Sequence, residues 1–219
     1  MERGPSSVVR NGFVLSNQGN CGVTVSEPVF AHNPLGTALQ AIISVIQNIL
    51  TYTLGVYQSL SGGERKAGAN FWAMLQLPVL YAIVAAGLLR MADIRLPPVL
   101  MKPIQDVSEA FVAIALLTLG AQLAGLNIRR VRWNLVIGVL GRLVLSPLIA
   151  FALIEAFGWS GMIAQSLFIA SSYPASRNSA LLALEYGTDP ELAAQIVLFS
   201  TVLSCLSVTA AIYAAQMLW

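Results

Sequence analysis

Long apolar runs, separated by short polar or charged stretches, dominate the pattern of this chain. Each run reaches about the length, roughly 20 residues, that an α-helix needs to cross the hydrocarbon core of a bilayer. Seven segments share this property: Val8–Phe30, Gly36–Leu60, Phe71–Leu89, Val99–Leu126, Trp133–Phe157, Gly161–Tyr186 and Leu192–Trp219. The pattern predicts an all-α membrane protein with about seven transmembrane helices.

Two of the seven segments are interrupted by polar residues near their middle. The first contains Ser16–Gly22, with two asparagines and two glycines, and the sixth contains Ser171–Ser179, with Pro174 at its centre. Hydrocarbon offers no hydrogen-bond partner, so backbone freed at such a break must lie against protein or a watery cavity. Freed N–H groups and helix dipole ends at a break favour an anion. We therefore predict two broken helices that meet and form a site for a small carboxylate.

The first two segments also resemble the last two. Phe13–Ser16 lines up with Phe168–Ser171, each just ahead of a polar break, and Asn33-Pro34 lines up with Asp189-Pro190, each opening the next helix. If the segments alternate in direction, the two copies run oppositely through the membrane. Such a pair is typical of an inverted-repeat transporter.

Composition supports the membrane assignment and argues against several other classes. Hydrophobic residues make up 57% of the chain and charged residues 10%, against about 25% charged residues in soluble domains. A net charge of +2 is too small to indicate a nucleic-acid partner. Cys21 and Cys205 are too few for a disulfide framework or a zinc site. No catalytic triad, HExxH or phosphate loop occurs, so no enzyme activity, cofactor or metal is predicted.

Lysine and arginine predict the orientation, because they collect in the short loops on the cytoplasmic side. With alternating spans, one side carries Arg3, Arg10, Arg65, Lys66, Arg129, Arg130 and Arg132. The other side carries only Arg90, Arg95 and Lys102. We therefore expect a multi-pass protein of the plasma membrane (the bacterial inner membrane) with a cytoplasmic N-terminus and an outer C-terminus.

Charged residues inside the spans are candidates for function, because a charge within the bilayer is costly. Arg177 is expected either to hold an anionic substrate or to pair with Glu27. Asp106 and Glu109 share a helix face; with Glu27 they are candidates for ion or proton coupling, or they form a hydrated pair near the outer interface. Arg142 is expected to pair with a carboxylate of a neighbouring helix or to extend to the interface.

Four short motifs, spread along the chain, are similar to those of a known transporter family. They are Asn17-x-Gly19-Asn20-x-Gly22, Leu119-Gly120-Ala121-Gln122-Leu123, the Pro174…Asn178 break with Glu185-Tyr186-Gly187, and Ser200-Thr201-Val202-Leu203-Ser204. In order and spacing they resemble the auxin efflux carrier (AEC) family of bacterial and plant transporters, which are related to the PIN carriers. The resemblance covers the chain from about Val8 to Leu218.

This resemblance implies a ten-helix fold of two inverted five-helix repeats, in which helices four and nine are broken and cross. On that scheme the chain begins at helix four and lacks the first three helices. Residues 1–60 would be the remainder of the N-terminal repeat (helices 4 and 5), 61–71 a cytoplasmic loop, and 72–219 the C-terminal repeat. Relatives pair into homodimers, for which the fourth span is the candidate surface.

The resemblance also implies the function and the site. Substrate would bind at the residues of the two breaks: Asn17, Gly19, Asn20, Gly22, Pro174, Ser176, Arg177 and Asn178. Relatives often place a proline shortly after the second glycine, where this chain has Val23-Thr24. The expected activity is secondary transport, as an efflux carrier for small organic anions such as auxin-like or dicarboxylic acids, by alternating access. Two alternatives remain: a sodium-coupled symporter of the bile-acid type, and a truncated paralogue that does not transport.

Overall fold

Helices make up the regular structure, together with one isolated β-bridge, in the part of the chain that the computed structural model describes. That part is residues 3–22, 33–62, 78–94, 96–107 and 132–219, together with Val25, Val29, Phe30, Ala110, Leu117 and Ala121. The α-helices are α1 (Arg3–Val14), α2 (Pro34–Leu50), α3 (Val56–Gly62), α4 (Pro78–Met91), α5 (98–107), α6 (Trp133–Leu140), α7 (Ser146–Phe157), α8 (Gly161–Ser171), α9 (Arg177–Glu185) and α10 (Pro190–Leu218). The described residues also include three π-helical turns, π1 (Gln18–Gly22), π2 (Thr51–Gly55) and π3 (Gly141–Leu145). Of these, π2 joins α2 to α3, and π3 joins α6 to α7.

Three continuous helical stretches within the described residues are long and apolar enough to cross a membrane. They are Ala38–Leu60, Trp133–Phe157 and Pro190–Leu218. Trp133–Phe157 has the same ends as the fifth predicted segment. Ala38–Leu60 and Pro190–Leu218 differ from the second and seventh predicted segments by two residues or fewer at each end. The expectation of an all-helical membrane protein is therefore confirmed for this part of the chain.

The first and sixth predicted segments are each divided into two helices. The α-helix α1 ends at Val14 and π1 begins at Gln18, while α8 ends at Ser171 and α9 begins at Arg177. The third and fourth segments are represented by α4 and α5; residues 71–77 and most of 108–126 lie outside the described residues, as does the predicted loop from residue 63 onward.

The predicted helix starts at two Asx-Pro pairs are confirmed. Asn33 is the N-cap of α2, and its side chain accepts the N–H of Leu35 at 3.0 Å. Asp189 is the N-cap of α10, and its side chain accepts the N–H of Leu192 at 3.1 Å. In both helices proline follows the cap, where its missing N–H costs no hydrogen bond.

An ion pair joins the starts of α6 and α10. Arg132 Nη1 lies 2.6 Å from Asp189 Oδ2, and α6 and α10 pack against each other. The two helices therefore begin at the same end of the molecule, as alternating spans require. Arg129 and Arg130, the other members of this predicted basic loop, lie outside the described residues.

The interior consists of separate hydrophobic clusters that meet at the second break. One cluster gathers side chains of α1, α6, α9 and α10 and includes Ala175 and Ile196. Another gathers α8 with the C-terminal half of α10 and includes Ile169 and Tyr173. The chain therefore passes from one cluster into the other at Pro174, so this break lies deep in the packed interior.

The outward faces of the helices are apolar. On α2, Val45 is 59% exposed, and on α10, Leu206 is 75% exposed. On α4 and α5, Leu88 and Val107 are likewise exposed. A surface of large aliphatic side chains suits lipid as the surrounding solvent, because contact with lipid tails carries no hydrophobic penalty.

Candidate functional site

The two breaks lie side by side and satisfy each other's backbone. The N–H of Asn17 donates to the carbonyl of Pro174 at 2.9 Å, and the N–H of Ser176 donates to the carbonyl of Leu15 at 2.8 Å. The residues between them form an antiparallel β-bridge. Each unwound stretch thus supplies the partners that the other needs away from water. We call this paired region, Leu15–Asn17 with Pro174–Ser176, the crossover.

One arginine binds the helix ends on both sides of the crossover. The guanidinium of Arg142, on π3, donates Nε to the carbonyl of Tyr173 at 2.7 Å, Nη1 to that of Phe13 at 2.8 Å, and Nη2 to that of Ser171 at 3.1 Å. Phe13 lies in the last turn of α1, and Ser171 is the last residue of α8. These carbonyls form the negative ends of the two helix dipoles, so a cation there stabilises both.

This geometry corrects the prediction for Arg142. The side chain is only 4% exposed, so it does not extend to the interface, and its partners are backbone carbonyls rather than a carboxylate. A guanidinium has five donors in a planar fork, which suits several carbonyls at once. Two broken helices leave free carbonyls in the interior, and these take the place of the expected acidic side chain.

The residues predicted at the first break differ in their surroundings. Asn17 pairs with the second break through its backbone, and its carbonyl accepts the N–H of Cys21 at 3.0 Å. Gly19 is exposed, with open space around it, whereas Gly22 is buried against polar side chains. Asn20 belongs to π1, and its side chain is not among the described groups.

The residues predicted at the second break form the start of α9. Pro174 is fully buried in the crossover. Ser176 is the N-cap, and its hydroxyl oxygen accepts the N–H of Asn178 at 3.2 Å. Arg177 is the first residue of the helix, so its positive charge lies at the positive end of the helix dipole. A neighbouring anion therefore gains from both.

Two of the three guanidinium nitrogens of Arg177 lack a hydrogen-bond partner in the described part of the chain. Its Nε and Nη1 atoms are shielded from solvent and unpaired. The side chains of Tyr52, on π2, and Cys21, on π1, lie close enough to interact with it electrostatically. Tyr173 has a buried hydroxyl without a partner, and it interacts with Cys21 as well. Several donors thus gather beside the crossover, and no described carboxylate pairs with the guanidinium.

The described part of the structure does not place the acidic residues predicted for ion or proton coupling beside the crossover. Glu27, the alternative partner of Arg177, and Glu109 lie outside them. Asp106 lies on α5 with an exposed side chain. Their proposed role in ion or proton coupling stays a prediction.

Several polar residues around the crossover had not been predicted from the sequence. Gln18 and Gln40 reach α8 and bind the carbonyls of Ala170 and Ser166, at 2.8 and 2.9 Å. Asn11, on α1, binds the carbonyl of Gly55 at 3.2 Å, a group that belongs to π2. The signal available in the sequence was an amide side chain within an otherwise apolar span, which is costly in lipid unless it finds a partner.

Apolar outward faces, membrane-length helices and two broken helices that meet in the interior define a polytopic membrane protein of the transporter class. The family model described as "Membrane transport protein" matches residues 11–212. The chain belongs to this family, the auxin efflux carrier family, as the motifs indicated.

The similarity of the chain to a curated protein supports this family assignment. That protein is an uncharacterized transporter of the archaeon Methanocaldococcus jannaschii, 24% identical over 197 residues. The alignment covers 88% of this chain and 63% of the relative. The chain therefore matches somewhat less than two thirds of the length of that protein.

Proposed function

We propose that this chain binds small organic anions at the crossover and carries them across the membrane by alternating access, as an efflux carrier. The observation that supports this most directly is the pair of buried, unpartnered nitrogens of Arg177 at the positive end of α9. An unpaired guanidinium is costly inside a bilayer. A carboxylate would pair with it by charge-assisted hydrogen bonds and remove that cost.

The remaining polar groups of the two breaks would orient the anion. Asn178 and the side chains of Asn17 and Asn20 are proposed to bind it together with Arg177. Gly19, which has open space around it, would let the anion approach the backbone of the first break. Pro174 and Ser176 would hold the start of α9 in place. The antiparallel crossing further supports the finer proposal of an inverted-repeat fold, in which the crossover moves against a scaffold.

Replacing Arg177 with glutamine is expected to weaken anion binding by about tenfold or more, because charge-assisted hydrogen bonds are lost. Binding of an aromatic monocarboxylate, such as indole acetate, and of a dicarboxylate, such as succinate, would be measured by calorimetry on the detergent-purified chain. Thermal stability should fall little, because Nε and Nη1 of this guanidinium have no hydrogen bond to lose in the described structure. Arg90→Gln, on the exposed end of α4, is the matched control.

Equal affinity of Arg177→Gln and the unaltered chain for every anion would contradict the assignment. Uptake into proteoliposomes then separates the carrier from the non-transporting paralogue. Binding with anion-dependent uptake supports the carrier, and binding without uptake supports the alternative.

The proposed orientation places the end of α3 in the cytoplasm and the turn between α7 and α8 outside. A cysteine at position 61, introduced as Ser61→Cys after replacement of Cys21 and Cys205, should react with an impermeant thiol reagent only in inside-out vesicles. Ser160→Cys, which lies in the α7–α8 turn with an exposed side chain, should react only in intact cells. The reverse labelling pattern would overturn the orientation.

A further inference from the structure

A buried group of oxygen atoms surrounds Gly22, at the end of π1. A Cβ atom added to this glycine would lie 3.1 Å from Ser44 Oγ, 3.5 Å from Gln18 Oε1 and 3.7 Å from Gln40 Oε1. The three oxygens therefore converge on a space that exists because residue 22 has no side chain. We call this space the Gly22 cradle.

The orientation of both glutamine amides is determined by their nitrogens. Gln18 Nε2 donates to the carbonyl of Ala170, and Gln40 Nε2 donates to that of Ser166. Turning either amide over would place its oxygen against a carbonyl oxygen, so the amide oxygens must point away from α8. Both Oε1 atoms are buried without a hydrogen-bond donor, in side chains that are 4% and 0% exposed.

The third oxygen of the cradle is also an acceptor there. The hydroxyl of Ser44 donates its hydrogen to the carbonyl of Gln18 at 3.2 Å, which leaves its lone pairs for the cradle. Among the described residues, the cradle thus offers three acceptors and no donor. Buried acceptors without a partner are costly, and a cation is the species that several neutral oxygens can bind together.

The chemistry of these ligands favours a monovalent ion. Divalent cations such as calcium are bound largely by carboxylates, and no cluster of three acidic, histidine or cysteine side chains occurs among the described residues. Amide and hydroxyl oxygens instead replace the hydration shell of an alkali ion without adding charge. None of these three ligands is Glu27, Asp106 or Glu109, the residues from which a cation site was expected.

We propose that the Gly22 cradle binds a sodium ion, with Gln18, Gln40 and Ser44 as oxygen ligands. These ligands come from π1 and α2. The two glutamines also donate hydrogen bonds to backbone carbonyls of α8, the helix that ends at the second break. An ion in the cradle therefore stabilises the packing of three elements around the crossover. Gly22, which the family resemblance placed among the substrate residues, is here part of the ion site.

Sodium binding is tested on the detergent-purified full chain without any organic anion. The apparent melting temperature is measured in increasing NaCl, with choline chloride and KCl at equal ionic strength as references, and 22Na binding is measured directly. We expect a saturable stabilisation in NaCl that choline does not reproduce, since only a ligand of the folded state shifts unfolding in this way. Because no organic anion is present and the chloride concentration is the same in all three salts, the result is independent of the role proposed for Arg177.

Two substitutions locate the ion. Gly22→Ala puts a methyl group into the cradle, and Ser44→Ala removes one oxygen while adding a good helix former. Each is expected to weaken sodium binding by at least tenfold. The matched control is Gly87→Ala on α4, where the added Cβ meets nothing within 4 Å, and its sodium affinity should equal that of the unaltered chain.

Three outcomes would overturn the proposal. Equal stability in sodium, potassium and choline would mean that the cradle binds no cation and holds a water molecule instead. Equal stabilisation by sodium and potassium would remove the selectivity for a small ion. Unchanged sodium binding in a folded Ser44→Ala variant would place the ion elsewhere.

Discussion

Arg142→Met is expected to destabilise the protein by about 3 kcal/mol or more, because it leaves three carbonyl groups without donors. The thioether cannot donate a hydrogen bond, and the helix ends on both sides of the crossover lose a common cation. Arg142→Lys should recover only part of the loss, because an ammonium cannot present the planar fork of a guanidinium. Unfolding would be followed by circular dichroism in detergent.

A second measurement distinguishes loss of the crossover from a general loss of stability. Cys21 lies in π1 beside the crossover and is half-buried, whereas Cys205 is exposed on α10. Opening of the crossover should raise the reaction rate of the Cys21 thiol and leave that of Cys205 unchanged. Arg90→Met is the control for removing an arginine. If Arg142→Met unfolds like the unaltered chain, the guanidinium does not hold the two breaks together.

Ile196→Ala is expected to destabilise the protein by about 2–5 kcal/mol, since it removes a fully buried side chain from the cluster around α10. The isoleucine packs between two glycines. A Cβ at Gly12, on α1, would lie 2.9 Å from its Cγ2 atom, and a Cβ at Gly138, on α6, would lie 2.7 Å from its Cδ1 atom. Small residues at these positions let three helices approach closely, as is common in membrane proteins.

The double variant tests this packing. Gly138→Ala alone should cost about 1–3 kcal/mol through overpacking, whereas in the Ile196→Ala background the same methyl group occupies part of the cavity. The double variant should therefore lose about 1 kcal/mol less stability than the sum of the losses in the two single variants. Leu206→Ala, on the lipid-exposed face of the same helix, should change stability little. Strict additivity would mean that Ile196 and Gly138 do not touch.

Hydropathy and helix caps predicted much of the helical framework, because both are local properties. Trp133–Phe157 was predicted at both ends, and the caps Asn33 and Asp189 were identified by the proline that follows each. The π-helical turns were not predicted. In π2, the carbonyl of Gly55 accepts a hydrogen bond from the side chain of Asn11, on α1. No local pattern contains that partner.

The candidate site was predictable in part for the same reason. Proline and glycine mark where a helix breaks, so the positions of both breaks followed from residue type. The partners of Arg142 did not follow, because they are backbone carbonyls freed elsewhere in the fold, which residue type does not reveal. The glutamines of the cradle were also overlooked, since Gln18 and Gln40 are far apart in sequence and become neighbours only through α8.

Residue order by itself determined that this protein belongs in a membrane, approximately where the three long described helices lie, and at which two places a predicted span is broken. These properties depend on segment length, apolar content and backbone chemistry, which each segment carries alone. Tertiary structure decided that the breaks pair with each other, that Arg142 binds the carbonyls they free, and that two buried nitrogens of Arg177 have no hydrogen-bond partner among the described residues. These outcomes depend on distances between groups far apart in the chain, which only packing brings together.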